Sequence, residues 1–452
     1  MSPRRESWRG RLAFSAAGAG VALLALALVP RQPPRPLPAD RNVAHWLEAD
    51  AEGAFPVRLD PDDVHFRAHS PLPRIVLHNQ QLEGPNETNV NVPLTVTNLN
   101  RDVASLVESP AIRDVSWPTP TTFRARIDVA PNGSTAVEFR DLHPDQPARF
   151  FLGADPELNF DVLERFLARA REERPDFVWI LGDLLQELDW IGDSYLRIFE
   201  QAEVPVYVTI GNHDMVHDRR HGPFEARKEN FRRLFGPTDY TFDFRGSRFV
   251  ALDTAAPYIL PSRFEWLRTT LDGAPEGPRF VLTHKPFVDP RPGKSHTIES
   301  DWDALRLEDL LASVPGVTYY CGHVEGYYRH DPRGIPVRIV GSLTREGLLE
   351  RDEGGRNGYV AVRVGPRGPE EDRVELEEAG VAVEVLRMAT TCGPAYAQHH
   401  PAGPSGALFL LGAAAGAVRH LRRARRRRRL TARIAALLAA GRNTRGDWAP
   451  VP

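Results

Sequence analysis

The chain has 452 residues, of which 42% are hydrophobic and 26% charged, so it can pack two folded domains and is not a largely disordered protein. Eight arginines lie within residues 419–429, so the formal net charge of -3 hides a body that carries about -11. Two cysteines, Cys321 and Cys392, are too few for a disulfide framework or a thiolate metal site.

The amino terminus has the pattern of an export signal or a membrane anchor. Basic residues precede an apolar run over residues 12–29, and a proline-rich stretch follows it. Residues 25–27 match a signal-peptidase site, but the run continues past them, which favours a retained anchor over a cleaved signal. We assign residues 1–44 to this segment and its linker, and we expect the folded body to lie outside the cytoplasm.

The carboxyl-terminal tail, residues 391–452, contains a second apolar run at residues 407–418, directly before the arginines. This order is typical of a transmembrane stop-transfer segment whose basic end stays in the cytoplasm. We therefore expect the protein at the cell membrane, with membrane lipid as the partner of its apolar segments and of the arginine run. Aromatic residues are not interleaved with the arginines, so we expect no nucleic acid as a partner.

Residues 57–147 indicate a small all-β, sandwich-like domain. Short apolar runs alternate there with turn residues, as in VNVPLTVTNLN and TTFRARIDVAPNGSTAVEFRDL. His, Asp and Glu do not form a recognisable site in this segment. We interpret the domain as a spacer or a recognition module.

Residues 148–390 alternate between predicted strands and helices. Leu163, Phe166, Leu167 and Ala170 recur at helical spacing, and this helix is expected to end before Pro175. Buried strands are predicted within the stretches DFVWILGD, VPVYVTIGNHD, SRFVALDT, PRFVLTHKPF and GVTYYCGHVE. The repeated units predict an α/β fold, with ligands beyond the carboxyl ends of the strands.

Polar residues follow these strands directly. They are Asp155 and Glu157 in GADPE, Asp183 in LGD, Asn212, His213 and Asp214 in GNHD, His284 in THKP, and His323 and Glu325 in GHVE. Carboxylates and imidazoles that converge at one sheet edge repel and desolvate one another unless a cation compensates them. The series therefore indicates metal binding.

The order and spacing of these motifs resemble the calcineurin-like metallophosphoesterases, over residues 151–364. That family's series is Asp-x-His, Gly-Asp, Gly-Asn-His-Asp/Glu, a lone His and Gly-His-x-His. The resemblance implies a central β-sandwich flanked by helices and a centre of two divalent metal ions. It also implies an enzyme that hydrolyses phosphate mono- or diesters, with a metal-bridging hydroxide as the nucleophile.

The resemblance implies roles for the matching residues. Asp183 would bridge the two metals, and Asn212, His284 and His323 would complete the second site. His213 matches the residue that contacts phosphate and protonates the leaving oxygen. The family often takes the carboxylate that orients this histidine from three residues after the bridging Asp. Gln186 stands there in this chain, so either Asp214 takes that role or His213 is unassisted.

The first metal site departs from the family at two of its four positions. Glu157 and Glu325 stand where histidines are expected, beside Asp155 and Asp183. Two acidic replacements by chance have a probability on the order of one in sixty, so we interpret the site as altered rather than lost. An oxygen-only shell favours Mn, Mg, Ca or Fe over Zn, whereas the second site, with nitrogen ligands, suits Zn, Mn or Fe.

Two other functions stay open. The chain could be a non-catalytic envelope scaffold or binding protein, whose carboxylates hold one structural cation or cluster with raised pKa values. The chain could also be a hydrolase of phospholipids or cell-wall precursors, which only the predicted membrane attachment favours. Several loop residues near the strand ends are further candidates for contact with substrate phosphate, although such side chains usually face solvent. They are Lys285, Lys294, His296, His217 and His221.

Overall fold

The computed structural model describes residues 46–81, 89–157, 159–184, 188–216, 222–344, 355, 357–365 and 368–377, all within one structural unit. The predicted apolar segments at 12–29 and 407–418 and the arginine run lie outside these residues, as do Gln186, His217 and His221. Among the described helices, none combines the length and apolar character that a membrane crossing requires. The predicted domain boundaries stay predictions.

An all-β region comes first in the described chain. Its strands are β1 Leu47–Glu52, β2 Ala54–Asp60, β3 Asp63–Ala68, β4 Arg74–Asn79, β5 Val90–Thr97, β6 Ala104–Leu106, β7 Ile112–Thr119, β8 Thr122–Val129 and β9 Ser134–Asp141. They form one sheet in the order β1-β4-β9-β6 and another in the order β2-β3-β5-β8-β7. Phe123, Ala125, Ile127 and Val129 are buried at every second position of β8, the period of a half-buried strand. The predicted all-β region is therefore confirmed.

The α/β region follows. Its strands are β10 Arg149–Gly153, β11 Phe177–Ile180, β12 Val206–Val208, β13 Tyr240–Phe244, β14 Ser247–Leu252, β15 Arg279–Thr283, β16 Val317–Cys321, β17 Tyr327–His330, β18 Val337–Val340, β19 Gly358–Gly365 and β20 Gly368–Glu375. Its helices are α1 Phe160–Glu173, α2 Leu188–Glu200, α3 Glu229–Phe235, α4 Pro261–Asp272 and α5 Asp301–Ala312. All five stretches that were predicted to contain buried strands do contain a strand.

Two sheets form the centre of this region. One has the order β12-β11-β10-β19-β20 and the other β13-β14-β15-β16-β18-β17. Within them β10, β11 and β12 are parallel, and so are β14, β15, β16 and β18, because helices connect most of these strands. The carboxyl ends of the strands that carry the motifs therefore share one edge in each sheet.

Aromatic residues fill the space between the two sheets. The Phe150 ring stacks on Phe177 with 5.3 Å between centroids and meets Phe249 edge-on at the same distance. Trp179 stacks on Tyr240 at 5.5 Å. Such pairs contribute about 0.5–1.5 kcal/mol each beyond the burial of their area. The predicted central β-sandwich is confirmed.

Helices cover both outer faces of the sandwich. On one side α1 packs Phe166 against Tyr359 of β19, with ring centroids 4.9 Å apart. On the other side, apolar residues of α4 and α5 join one buried cluster with β14, β15 and β16. Helix α1 ends where Arg174 adopts a left-handed conformation just before Pro175, as the spacing predicts. The flanking helices of the predicted fold are thus confirmed.

The all-β region contacts the α/β region at β12, which is an edge strand of its sheet in the described chain. The Asn98 side chain accepts a hydrogen bond from the Val206 N–H at 2.8 Å and donates one to the Val206 carbonyl at 3.1 Å. Nearby, the His69 ring lies between Phe55 and Tyr240, with centroids 6.3 and 4.8 Å away. Asn98 of the all-β region therefore forms hydrogen bonds with backbone groups at the edge of the α/β sheet.

Candidate metal centre

Backbone hydrogen bonds join the loops that follow the motif strands. The Asp155 N–H donates to Gly182 at 3.1 Å, the Glu157 N–H donates to Asp183 at 3.0 Å, and the Gly322 N–H donates to His284 at 2.9 Å. The sheet ladder thus continues past the strand ends. As a result, motifs that are distant in sequence lie side by side.

Three predicted ligands of the second metal converge on Nε2 of the fourth, His284. Nε2 of His284 lies 3.1 Å from Oδ2 of Asp183, 3.0 Å from Oδ1 of Asn212 and 3.1 Å from Nδ1 of His323. Neighbouring ligands at about 2.1 Å from an octahedral cation lie about 3.0 Å apart, so the spacing fits a metal ion. Within the described chain, Asp183, His284 and His323 also form the group of ligand atoms compact enough to hold one.

The other nitrogen of His284 fixes its tautomer. Nδ1 lies 2.8 Å from the Leu181 carbonyl oxygen, which only accepts hydrogen bonds, so Nδ1 carries a proton and donates it. Nε2 is therefore left to face the other three ligand atoms. Because these atoms are acceptors or lone-pair donors, a proton or a cation must lie among them. This donor set fits a metal.

Charges within the cluster shift the pKa of its members. Burial opposes a charged His284, but Asp183 and Asp155 raise the pKa of its ring to about 9. Burial, together with the charge of His284, moves the pKa of His323 far below its usual range. Burial raises the pKa of Asp183, but His284 outweighs it and leaves the pKa below its ordinary value. The site as a whole favours one added positive charge, which a cation would supply.

Asp155 occupies the predicted first site. Its carboxylate is 1% exposed and accepts the His323 N–H with both oxygens at 3.1 Å. Burial raises its pKa well above the ordinary value, and the charges of Asp183 and Glu325 raise it further. Glu325 is therefore near enough to interact with Asp155. Carboxylates gathered in this way stay ionised at neutral pH only beside a cation.

Glu157 is held through its backbone. Its N–H donates to Asp183, and its carbonyl oxygen accepts the hydroxyl of Tyr195, which also contacts the Leu184 carbonyl at 2.6 Å. Tyr195 is a positioning residue that the sequence patterns miss. It lies on α2 within the apolar helical pattern, which predicts only that a tyrosine there is buried in the core.

Several predicted ligands have a left-handed backbone. Positive φ angles occur at Asp155, Glu157, Asp183, His323 and Glu325, at 50°, 44°, 55°, 68° and 57°. Non-glycine residues rarely adopt this conformation, and it collects at functional sites where surrounding structure enforces it. Glu157 and Glu325 share this geometry with the residues that match the family. Both replacements therefore keep the backbone of a ligand position.

Two motif glycines leave room for the ligands. A Cβ on Gly211 would lie 2.1 Å from Oδ1 of Asp183, and one on Gly182 would lie 2.7 Å from Nδ1 of His284. Gly182 also has φ of 87°. A side chain at either position would displace a ligand.

His213 and Asp214, the two predicted catalytic residues, lie in a single 3-10 turn after β12. The His213 ring is 39% exposed, with Nε2 4.0 Å from Oδ2 of Asp183. The Asp214 carboxylate is buried and accepts the N–H groups of Asp183 at 3.0 Å, Leu184 at 2.7 Å and Gly211 at 2.7 Å. Asp214 thus holds the backbone of these loops together, and its predicted role in catalysis stays a prediction.

The described loop candidates differ in their surroundings. The Lys285 ammonium is buried against the Glu299 carboxylate at 2.8 Å and the Ala255 carbonyl at 3.0 Å. Lys294 is exposed. The His296 ring lies 3.9 Å from the His323 ring, measured between centroids. We call the predicted ligands Asp183, Asn212, His284 and His323 the metal cluster. Of the three loop residues, the structure brings His296 to it.

A cavity of about 240 Å³ lies elsewhere, at the amino ends of β10 and β11. Arg245 and Asp176 line it and form an ion pair at 3.2 Å. None of the predicted site residues lines this cavity, so it is separate from the candidate metal centre.

Comparisons with known proteins point to one family. Residues 141–325 match the family described as calcineurin-like phosphoesterase. A curated relative, "Metallophosphoesterase 1 homolog" of Drosophila melanogaster, is 28% identical over 141 residues. That match covers 26% of this chain and 38% of the relative, so this chain spans well under half of the relative's length.

Two solved structures are similar at lower identity. A dimetal phosphatase from Danio rerio is 15% identical, with a TM-score of 0.39, and the match covers 52% of this chain and 100% of that one. The purple acid phosphatase PPD1 from yellow lupin is 13% identical, with a TM-score of 0.43, and the match covers 67% of this chain and 70% of that one. The family assignment therefore rests on the match of residues 141–325.

Proposed function

Residues 141–325 make the chain a member of the calcineurin-like phosphoesterase family, and on that premise we propose that it is a metal-dependent hydrolase of phosphate mono- or diesters. One observation carries the proposal. Asp183, Asn212 and His323 each bring a ligand atom to within 3.0–3.1 Å of Nε2 of His284. The family generally binds two divalent metals, and this donor set fits one of them.

The second metal would be held by Asp183, Asn212, His284 and His323, with two ring nitrogens among its ligands. The first would be held by oxygen atoms alone, from Asp155, Glu157, Asp183 and Glu325. We propose that the first site takes Mn, Mg, Fe or Ca and the second Zn, Mn or Fe, because hard cations prefer oxygen ligands. The charges of Asp183 and Glu325 both raise the pKa of Asp155, which supports this grouping.

Two divalent cations, held by these residues, would supply Lewis acidity to activate water and to neutralise charge on phosphoryl oxygens. The protein's own residues hold and order the reacting groups. Oδ1 of Asp183 accepts the His213 N–H at 2.8 Å, which fixes the backbone of His213 against the metal cluster. The ring is partly exposed, and we propose that it gives a proton to the leaving oxygen of the ester.

Asp214 would contribute through the loops. Its carboxylate joins the backbone of Asp183 to that of Gly211, and these loops carry the bridging Asp183 and the ligand Asn212. Three backbone N–H donors occupy its oxygens, so it orders ligands and does not exchange protons with substrate in this proposal.

We also propose that the protein is tethered to the membrane, with its body on the extracytoplasmic side. The apolar run at 12–29 supports the tether, and the run at 407–418 with its arginines supports a second crossing. Protease added to intact cells or spheroplasts should then remove the body and spare the arginine-rich tail.

The enzyme proposal is tested on the purified full chain. Bound metals are measured by elemental analysis, and turnover of a generic phosphate monoester and diester is assayed with added manganese, magnesium or zinc. We expect about two metals per chain and a fall in kcat of roughly 10²–10⁴-fold for His213→Ala, with metal content retained. His143→Ala, at an exposed histidine of the all-β region, is the matched control.

Fewer than one metal per chain, together with turnover that does not respond to His213→Ala, would contradict the proposal. That result would favour the alternative, a non-catalytic envelope scaffold. Glu157→His with Glu325→His adds a test of the first site. These substitutions should shift metal preference toward zinc.

A further inference from the structure

The loop between β15 and α5, residues 284–300, is closed at its base. The Lys285 ammonium contacts both Glu299 oxygens at 2.8 Å, and the Ile298 N–H donates to the Pro286 carbonyl at 3.0 Å. The two ends of the loop are therefore bonded to each other. A loop tied in this way holds its shape against the rest of the fold.

Asp289 organises the interior of this loop. Its side chain is 1% exposed and forms an ion pair with the Arg291 guanidinium at 2.7 Å. The same carboxylate oxygen accepts the backbone N–H of His296 at 2.9 Å. The position of His296 is thus set by bonds inside the loop.

The His296 ring lies against the metal cluster. Its centroid is 3.9 Å from that of His323, whose own ring is 4.9 Å from His284. Unlike the ring of His284, the His296 ring makes no hydrogen bond within the described part of the chain; only its backbone N–H is bonded. It is half-buried, so part of it remains open to a bound molecule.

His296 is better placed to contact substrate than to bind metal. The compact group of ligand atoms in the described chain contains Asp183, His284 and His323 but not His296. An imidazole beside the cluster, with a free N–H, is a donor for a phosphoryl oxygen, which is a strong acceptor.

We propose that His296 is a further substrate-contacting residue, which donates a hydrogen bond from its ring to a phosphoryl oxygen of the ester and of the released phosphate. This role rests on the proposed function of the site. The ligand class is the phosphate group itself. The loop braced by Asp289 acts as the support that presents the ring.

The test compares His296→Ala, His296→Gln and Ser295→Ala in the metal-loaded full chain. Ser295 is the exposed neighbour of His296 and serves as the matched control. We measure KM and kcat with a phosphate ester, the Kd of inorganic phosphate by calorimetry, bound metal and the midpoint of thermal unfolding. His296→Gln retains an N–H donor and keeps the test open if the alanine variant unfolds.

We expect His296→Ala to raise both KM and the Kd of phosphate by roughly ten-fold or more, with metal content unchanged, because a bond to a charged acceptor is lost. His296→Gln should recover part of the affinity, and Ser295→Ala should match the wild type. Unchanged KM and Kd would overturn the proposal, and so would a loss of bound metal, which would make His296 a ligand.

Failure of the enzyme proposal would look different. A wild-type chain that turns over no ester would contradict hydrolysis, whereas phosphate binding measured by calorimetry would still report on His296. If wild-type protein binds phosphate and His296→Ala binds it equally well, the inference about His296 is wrong even where turnover is present.

Discussion

The left-handed backbone of several residues in the candidate metal centre lowers the stability of the fold unless other interactions offset it. Each such residue with a side chain loses about 1–2 kcal/mol relative to an ordinary backbone conformation. Asp155, Asp183 and His323 recover part of this through backbone hydrogen bonds to neighbouring loops. Binding of a cation by their side chains would offset more of it. Local strain therefore occurs at the residues that are predicted to be ligands.

Gly211→Ala should disrupt the centre, because its methyl group would lie 2.1 Å from Oδ1 and 2.3 Å from the backbone nitrogen of Asp183. We expect loss of bound metal and a fall of about 1–3 kcal/mol in the free energy of unfolding, the usual cost of overpacking. Elemental analysis and chemical denaturation measure these effects. Gly273→Ala is the control, since its nearest contact would be an ordinary 3.4 Å; equal behaviour of the two variants would contradict the expectation.

At the scale of elements, the site depends on loops that are held together after the strands end. The strands and α1 could be predicted from sequence because apolar spacing reports burial directly. The partners of Asp214 could not, since the N–H groups it binds belong to residues 183 and 184, some 30 positions away. Its place beside His213 suggested catalysis. The structure adds that backbone N–H groups of Asp183, Leu184 and Gly211 bind its carboxylate, and the catalytic role stays a prediction.

Asp214→Asn tests that positioning role. An amide keeps one acceptor oxygen and turns its NH₂ group toward a backbone N–H, which leaves buried donors unsatisfied. We expect the free energy of unfolding to fall by about 1–3 kcal/mol and metal affinity to fall with it. Asp272→Asn, on the exposed surface of α4, should change neither. Lost turnover with unchanged stability and metal content would instead support a catalytic Asp214.

His296 shows the same limit for loops. No spacing rule distinguishes it from Lys285 or Lys294, because all three follow β15 in a segment without helical or strand period. The bonds within the loop decide which side chain reaches the cluster. The replacements at Glu157 and Glu325, in contrast, are visible in the sequence, because they stand at fixed positions within motifs.

At the scale of the whole molecule, a histidine lies where the two regions meet. Burial lowers the pKa of His69 to about 4, against a usual value of 6.5. Its Nδ1 is buried and has no hydrogen-bond partner in the described chain. The folded protein therefore holds the neutral ring, and protonation below pH 6.5 favours unfolding or separation at this contact.

The stabilisation from neutral His69 is full above about pH 6.5 and is lost as the pH falls toward 4. The loss can reach about 3 kcal/mol. The free energy of unfolding is measured by urea denaturation at about pH 7.5 and at about pH 4.5. We expect it to fall less between these two pH values in His69→Phe than in the wild type. His143→Phe should follow the wild type. Parallel pH profiles for wild type and His69→Phe would contradict this assignment.

The Asn98 side chain also limits how this protein can be shortened. It completes both hydrogen bonds of Val206 as a neighbouring strand would, so the all-β region closes an open side of the α/β sheet. A chain cut before residue 148 would expose β12 to pairing with another molecule. The all-β region therefore covers part of a sheet edge that a shorter chain would leave unpaired.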